Sequence, residues 1–294
     1  MTPGCTPRLL GRLLVGCSIL LLLFIVYQLF GTGLPASMSQ TRLRHQLTSV
    51  LSQRTTAQPD TVSSPLPDAL KAPSAGSALG VIDIPSINVD KAMVQGVGVS
   101  DLQEGPGHYP STPLPGEAGN AAVAGHRTTY GAPFFRLNEL RKGQPIYVTT
   151  AEGTFTYHVL RSLVVKPSDA SVLSPTGTNM LTLTTCSPRY SATQRLIVEA
   201  VLQGAPLADV PAAAPTRPQK QAKPQVQTLA AAGRHWLPAL LWGLALLALG
   251  IVAGYASRKL PRHKWLVYLA ATPVSLVGLY VFFDNLSLLL PATF

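Results

Sequence analysis

Three stretches of the chain are apolar throughout and carry no charge: 13–30, 236–255 and 265–283. Each approaches the roughly 20 residues an α-helix needs to cross about 30 Å of hydrocarbon, so each is expected to span a membrane. Trp236, Tyr255 and Trp265 stand at their ends, where aromatic rings favour the bilayer interface. Between the first two the pattern changes. Residues 79–205 hold short apolar or alternating runs at 81–84, 90–97, 120–126, 145–150, 154–166, 179–186 and 195–203. Such runs mark strands, and Pro85-Ser86, Gly105-Pro106-Gly107, Pro115-Gly116, Glu152-Gly153 and Ser174-Pro175 punctuate them as turns. The segment 133–140 is the only convincing helical turn in this region. The predicted fold class is all-β: a closed barrel of seven to eight strands with short helices. Transmembrane helices flank it, one N-terminal and two C-terminal.

This patterning divides the chain into an N-terminus at 1–12, an anchor at 13–30 and a stalk with linker at 31–78. The barrel follows at 79–205, then a Pro/Ala/Lys-rich linker at 206–235 and a second span at 236–255. A basic loop at 256–264, a third span at 265–283 and a tail at 284–294 complete it. Within the stalk, Leu43, Leu47, Val50 and Leu51 recur at helical spacing. No internal repeat is visible.

Charge refines the arrangement. Only 12% of residues are charged, where a soluble domain carries about a quarter. The net charge of +10 lies entirely in the flanks, because 79–205 holds nine basic and nine acidic residues. That distribution argues against nucleic acid, which needs a basic patch on the folded domain. Arg8 and Arg12 precede the first span, and Arg258, Lys259, Arg262 and Lys264 crowd the loop between the last two. By the positive-inside rule both sites are cytoplasmic, which makes a multi-pass membrane protein with its barrel extracytoplasmic. Arg42, Arg44, Arg217, Lys220, Lys223 and Arg234 oppose this, but they are spread along longer segments. The first span exceeds the 7–15 apolar residues usual in a signal peptide, so an uncleaved anchor is favoured. Cys17 begins the apolar run instead of ending it, which argues against lipoprotein processing.

Cys186 ends the run Met180-Leu181-Thr182-Leu183-Thr184-Thr185, and the other cysteines, Cys5 and Cys17, lie in or behind the first span. A lone thiol outside the cytoplasm is inert, paired between chains, or chemically employed. An unperturbed thiol is only a few per cent thiolate at neutral pH, so a catalytic one wants an imidazole or cation nearby. His126 ends one predicted strand and Arg195 begins the one after Cys186. Three strand ends can open on one barrel mouth, bringing nucleophile, base and oxyanion stabiliser together. Taken singly, a buried small hydrophobe, a structural histidine and a surface ion pair are the ordinary readings. Arg189 is the rival to Arg195, and His108, in a Gly-Pro-Gly loop, is a lesser candidate. His158 reads as a core or surface residue. Dispersed histidines and one cysteine lack zinc-ligand spacing, so no metal and no cofactor are expected.

The residues also carry a resemblance. Leu181-Thr182-Leu183-Thr184-Thr185-Cys186, with Arg195 nine positions on, resembles the TLxTC…R signature of sortases. Ala124-Gly125-His126-Arg127 resembles that family's histidine motif. Gly105-Pro106-Gly107-His108-Tyr109-Pro110, Pro115-Gly116-Glu117-Ala118-Gly119-Asn120 and Tyr130-Gly131-Ala132-Pro133-Phe134 are similar to the actinobacterial class E branch. The likeness covers about 80–202, leaving out the linkers and the C-terminal hairpin.

The resemblance implies a sortase β-barrel and cysteine transpeptidation. Cys186 is then the nucleophile, His126 the general acid/base and Arg195 the oxyanion or substrate stabiliser. Tyr130, Thr184 and Thr185 are the expected substrate contacts. The substrates implied are secreted proteins with a C-terminal LAxTG- or LPxTG-type signal, cleaved between Thr and Gly through a thioacyl-enzyme. A peptidoglycan-precursor amine is the implied acceptor. Pro59-Asp60 and Pro67-Asp68 reverse the Asp-Pro order of a pilin-type lid, so none is expected. Asp169 alone is acidic between 167 and 179, too few oxygens for calcium. The competing readings are a Cys/His peptidoglycan hydrolase and a non-enzymatic membrane-tethered β-barrel that binds or scaffolds at the cell wall.

Overall fold

The computed structural model describes residues 5–56, 73–207 and 236–287. The expected linkers and C-terminal tail lie largely outside these residues, as do Pro59-Asp60 and Pro67-Asp68. The chain divides into two units: Met1–Gly31 with Lys223–Ala292, and Thr32–Ala222.

The first unit is helical. Helix α1 (Cys5–Val26) ends in a π-helical turn, Tyr27–Gly31. The C-terminal hairpin is formed by two further 24-residue helices, Trp236–Lys259 and Lys264–Ser287, here α4 and α5. At 1.5 Å per residue each is about 36 Å long. Three helical runs, Leu14–Ser49, Trp236–Lys259 and Pro261–Ser287, are long and apolar enough to cross a membrane. Small residues seat the hairpin: a Cβ at Gly278 would come within 2.9 Å of Leu246, and one at Gly243 within 3.3 Å of Phe282. Close approach at small residues is the usual packing device in lipid, where no hydrophobic drive distinguishes one apolar neighbour from another. The Tyr27 hydroxyl donates to the Asp284 carboxylate at 3.1 Å, and the Tyr27 ring packs against Tyr280 and Phe283.

The second unit is a closed barrel of eight strands: β1 (Ala78–Ile84), β2 (Val89–Gln95), β3 (Gly107–His108), β4 (Asn120–Ala124), β5 (Pro145–Thr150), β6 (Thr154–Val165), β7 (Met180–Ser187) and β8 (Gln194–Leu202). Neighbours around it run β1-β2-β3-β4-β7-β8-β6-β5, and β5 pairs back to β1. The β2–β3 and β4–β7 pairs are parallel and the rest antiparallel. Period-two alternation fills the interior with Leu181 and Leu183 of β7, Leu196, Val198 and Ala200 of β8, and Ala121 and Val123 of β4. The intervening residues of those strands face outward.

Seven of these strands coincide with the expected runs. The eighth, β3, is two residues long and too short to leave a period. Helix α3 (Val99–Glu104) was not expected either, since six residues make less than two turns.

The expected stalk is instead a docked helix. Helix α2 (Gly33–Thr56) packs on the outside of β2, with Leu43 fully buried against Ala92 and Val94. β1 pairs with β2 at Ala92 on one side, but because β3 is so short the other edge of β2 has no strand neighbour there. The Gln40 amide takes that place: its Nε2 donates to the Ala92 and Glu104 carbonyls, both at 2.9 Å. Its Oε1 accepts the Ala92 N–H at 2.8 Å. A buried backbone edge left unpaired is costly, so one side chain completes the ladder. Arg42 pairs with Glu104, and Arg44 with Asp90, at the helix flanks.

Candidate active site

Strand register brings the predicted residues to neighbouring positions. In the parallel β4–β7 pair, Ala124 lies beside Thr184, and the Gly125 N–H donates to the Thr184 carbonyl at 3.1 Å. The Thr185 hydroxyl donates to the Gly125 carbonyl at 2.8 Å. One residue further along each strand come His126 and Cys186. On the other side of β7, Cys186 stands directly opposite Arg195 of β8. Directly opposed residues share a sheet face with Cβ atoms about 5 Å apart. Alternation turns Thr185 into the core and Cys186 outward. Backbone register therefore places Cys186 and Arg195 side by side on the outer face, with His126 just past the end of the adjacent strand β4.

Cys186 and Arg195 are each half-buried. The Arg195 guanidinium donates to the Ala192 and Gln194 carbonyls, both at 3.1 Å, which orients the side chain. Arg189, the rival cation, is held elsewhere: its guanidinium lies 4.2 Å from the Phe135 ring centre and donates to Asn138.

His126 sits at the start of a compact loop, 126–134. The loop is closed by Phe134 N–H to the His126 carbonyl at 3.1 Å and Ala132 N–H to the Thr129 carbonyl at 2.9 Å. Gly125 is required here, because a Cβ would come within 2.6 Å of the Phe134 ring. The Thr129 hydroxyl lies 3.4 Å from His126 Nδ1, and the Tyr130 ring centre lies 5.0 Å from that of His126. Tyr130 accepts a hydrogen bond on its hydroxyl from Gln103 at 3.1 Å.

The remaining expected contacts divide. Thr184 is on the same strand face as Cys186, two residues earlier, and is 5% exposed. Thr185 is turned inward and 3% exposed, with its hydroxyl committed to Gly125. It ties the histidine strand to the cysteine strand.

Two neighbours were not singled out from sequence. Tyr109, just after β3, lies close enough to Cys186 and Arg195 to feel both. Burial pushes its phenol upward, Arg195 pulls it down, and Cys186 raises it again. Arg127 donates to the Cys186 carbonyl and to Asn138, each at 2.9 Å. Burial holds the Arg127 guanidinium below its ordinary range, and Arg189 lowers it further. Both residues sit inside quoted motifs, so the signal available was adjacency to His108 and His126.

His108 does not enter this group. It is 1% exposed, and its ring nitrogens engage Gln95 at 2.9 Å and the Pro113 carbonyl at 2.8 Å. Among the described residues no three His, Cys, Asp or Glu side chains gather as a metal site.

A thiol, an imidazole and a guanidinium on adjoining strand ends suit acyl transfer. A family model described as the Sortase domain matches residues 82–203. Residues 82–203 are thus similar to a sortase domain. It is 32% identical over 207 residues to Sortase SrtE1 of Streptomyces coelicolor, covering 65% of this chain and 55% of that protein. It is 36% identical over 117 residues to Sortase D of Bacillus subtilis, covering 40% of this chain and 58% of the relative. The chain thus spans between half and two thirds of the length of these curated relatives. Among solved structures, sortase E from Streptomyces avermitilis aligns at 36% identity with a TM-score of 0.41, covering 46% of this chain and 93% of that one. The sortase match contains β4, β7 and β8, and hence His126, Cys186 and Arg195. It begins after α2.

Proposed function

We propose that this protein is a membrane-anchored cysteine transpeptidase of class E type that joins secreted proteins to the cell wall. The Cys186 sulfur, as thiolate, adds to the carbonyl carbon of Thr in the Thr–Gly bond of a C-terminal LAxTG- or LPxTG-type signal. The Arg195 guanidinium stabilises the oxyanion of the resulting tetrahedral intermediate. The C–N bond then breaks, and His126 supplies the proton that leaves with the glycine amine. This gives a thioacyl-enzyme on Cys186. An amine of a peptidoglycan precursor attacks the thioester and loses its proton to His126, and Cys186 departs as thiolate. Tyr130 lines the substrate path beside His126, and Thr184 shapes its floor next to Cys186.

The single observation that supports this most is register: Cys186 opposite Arg195 on one side, and His126 one step beyond the Gly125–Thr184 bond on the other. The reading places the barrel outside the cytoplasm and the N-terminus and α4–α5 loop inside. A signal peptide incubated with a small amine tests it. Ligated product from the wild-type chain, absent with Cys186→Ala, supports transpeptidation. Cleavage without ligation at any amine concentration favours the hydrolase reading, and neither reaction favours a binding module.

A further inference from the structure

Residues 130, 131 and 132 all have positive φ, at 51°, 75° and 43°, and two of them are Tyr130 and Ala132. L-residues in this region are disfavoured, and such strain persists only where surroundings over-determine it. Those surroundings include helix α2. The Thr32 hydroxyl, 1% exposed, accepts the Tyr130 N–H at 3.1 Å. Ala36 stands against Gly131, where a Cβ would lie 3.7 Å from its methyl. Gln40, with three bonds to β2 and α3, fixes the helix that bears Ala36 and that begins directly after Thr32. From α3, Gln103 holds the other end of Tyr130, its hydroxyl.

We propose that the segment preceding the matched sortase domain is a working part of the substrate site. Thr32 and Gln103 are positioning residues that set Tyr130 beside His126 and so determine how the signal peptide is seated against the imidazole. This rests on the transpeptidase reading above. A backbone N–H pinned by Thr32, just ahead of α2, and a phenol pinned by Gln103 of α3 leave the Tyr130 ring little freedom, and the ring faces the imidazole that must meet the leaving group. Thr32 directly follows the π-helical turn, so this hold begins one residue past the end of the anchor unit.

The test uses the full chain in detergent, with LAxTG and LPxTG peptides and a small amine. Thr32→Val keeps shape and removes the acceptor. It is expected to raise KM for the preferred peptide about fivefold, the scale of one lost buried hydrogen bond. It is also expected to leave kcat within about twofold and narrow the preference between the two peptides. Thr32→Ser restores wild-type values. Gln103→Leu shifts KM and preference in the same direction, and decides the matter if Thr32→Val fails to fold. A merely structural role would lower kcat equally for both peptides. Unchanged KM and preference in folded Thr32→Val, or in Gln103→Leu, overturns the proposal. No product from the wild type with either peptide removes the transpeptidase reading itself, and this inference with it.

Discussion

At the residue scale, Arg195 and Arg189 illustrate how geometry distinguishes two cations of equal charge. Both follow Cys186 closely, yet Arg189 lies over Phe135 and bonds Asn138, while Arg195 is the cross-strand partner of the thiol. In the proposed mechanism Arg195 alone stabilises the oxyanion. Arg195→Ala should lower kcat by roughly two to three orders of magnitude, the range seen for removing one oxyanion donor. Arg195→Lys keeps the charge and loses the fork, so a smaller loss of about tenfold is expected. Arg189→Ala should leave kcat within a few-fold and act mainly on stability through Phe135 and Glu139. Steady-state transfer assays on folded variants check this, and equal losses at the two positions would contradict the assignment. Arg127 shows how a site extends below its reacting atoms: with its guanidinium on the Cys186 carbonyl, it fixes the backbone that aims the sulfur.

At the element scale, β3 carries His108, whose burial lowers its pKa from 6.5 to about 4. The Pro113 carbonyl opposes this shift but is the smaller influence. The folded chain keeps His108 neutral where the unfolded chain takes up a proton. Its contribution is therefore fully present above pH 6.5 and is lost as pH falls toward about 4. At 1.36 kcal/mol per pH unit the effect is at most about 3 kcal/mol. Thermal midpoints from pH 7 to 4.5 should fall more steeply for the wild type than for His108→Gln. Parallel slopes would show that burial of this ring is unimportant. Legibility also depended on element size. Strands β1, β2 and β4 to β8 showed in the sequence because apolar or alternating runs of four or more residues leave a mark. β3 and α3 are too short for any period to register. Leu43 and Leu47 revealed a helix, but the partners of Leu43, Ala92 and Val94, belong to a strand some fifty residues away. A docked helix therefore read as a stalk. Tyr109 and Arg127 were hidden for a related reason, since contact with Cys186 arises from register between strands distant in sequence.

At the scale of the whole molecule, the charge pattern and the three apolar helices support the proposed topology. If α1 starts inside, α4 returns inward and α5 leaves again, so α1 and α5 both end on the outer side. Tyr27 and Asp284 stand at those two ends and are hydrogen-bonded at 3.1 Å, as parallel helices require. An acidic residue at the end of a membrane helix is costly unless paired, and this bond supplies the partner. Fluorescent-protein fusions after Leu260 should glow in the cytoplasm, and alkaline phosphatase fusions after Leu207 should be active outside. The reverse pattern would place the barrel in the wrong compartment for cell-wall chemistry.

The most direct measurement is intact mass spectrometry of the full chain after brief exposure to a sorting-signal peptide without acceptor amine. A mass increase equal to the peptide cleaved after Thr, mapped by digestion to Cys186 and discharged by added amine, is the predicted result. An unmodified Cys186 under conditions where the chain is folded, or an adduct confined to another residue, would contradict the account.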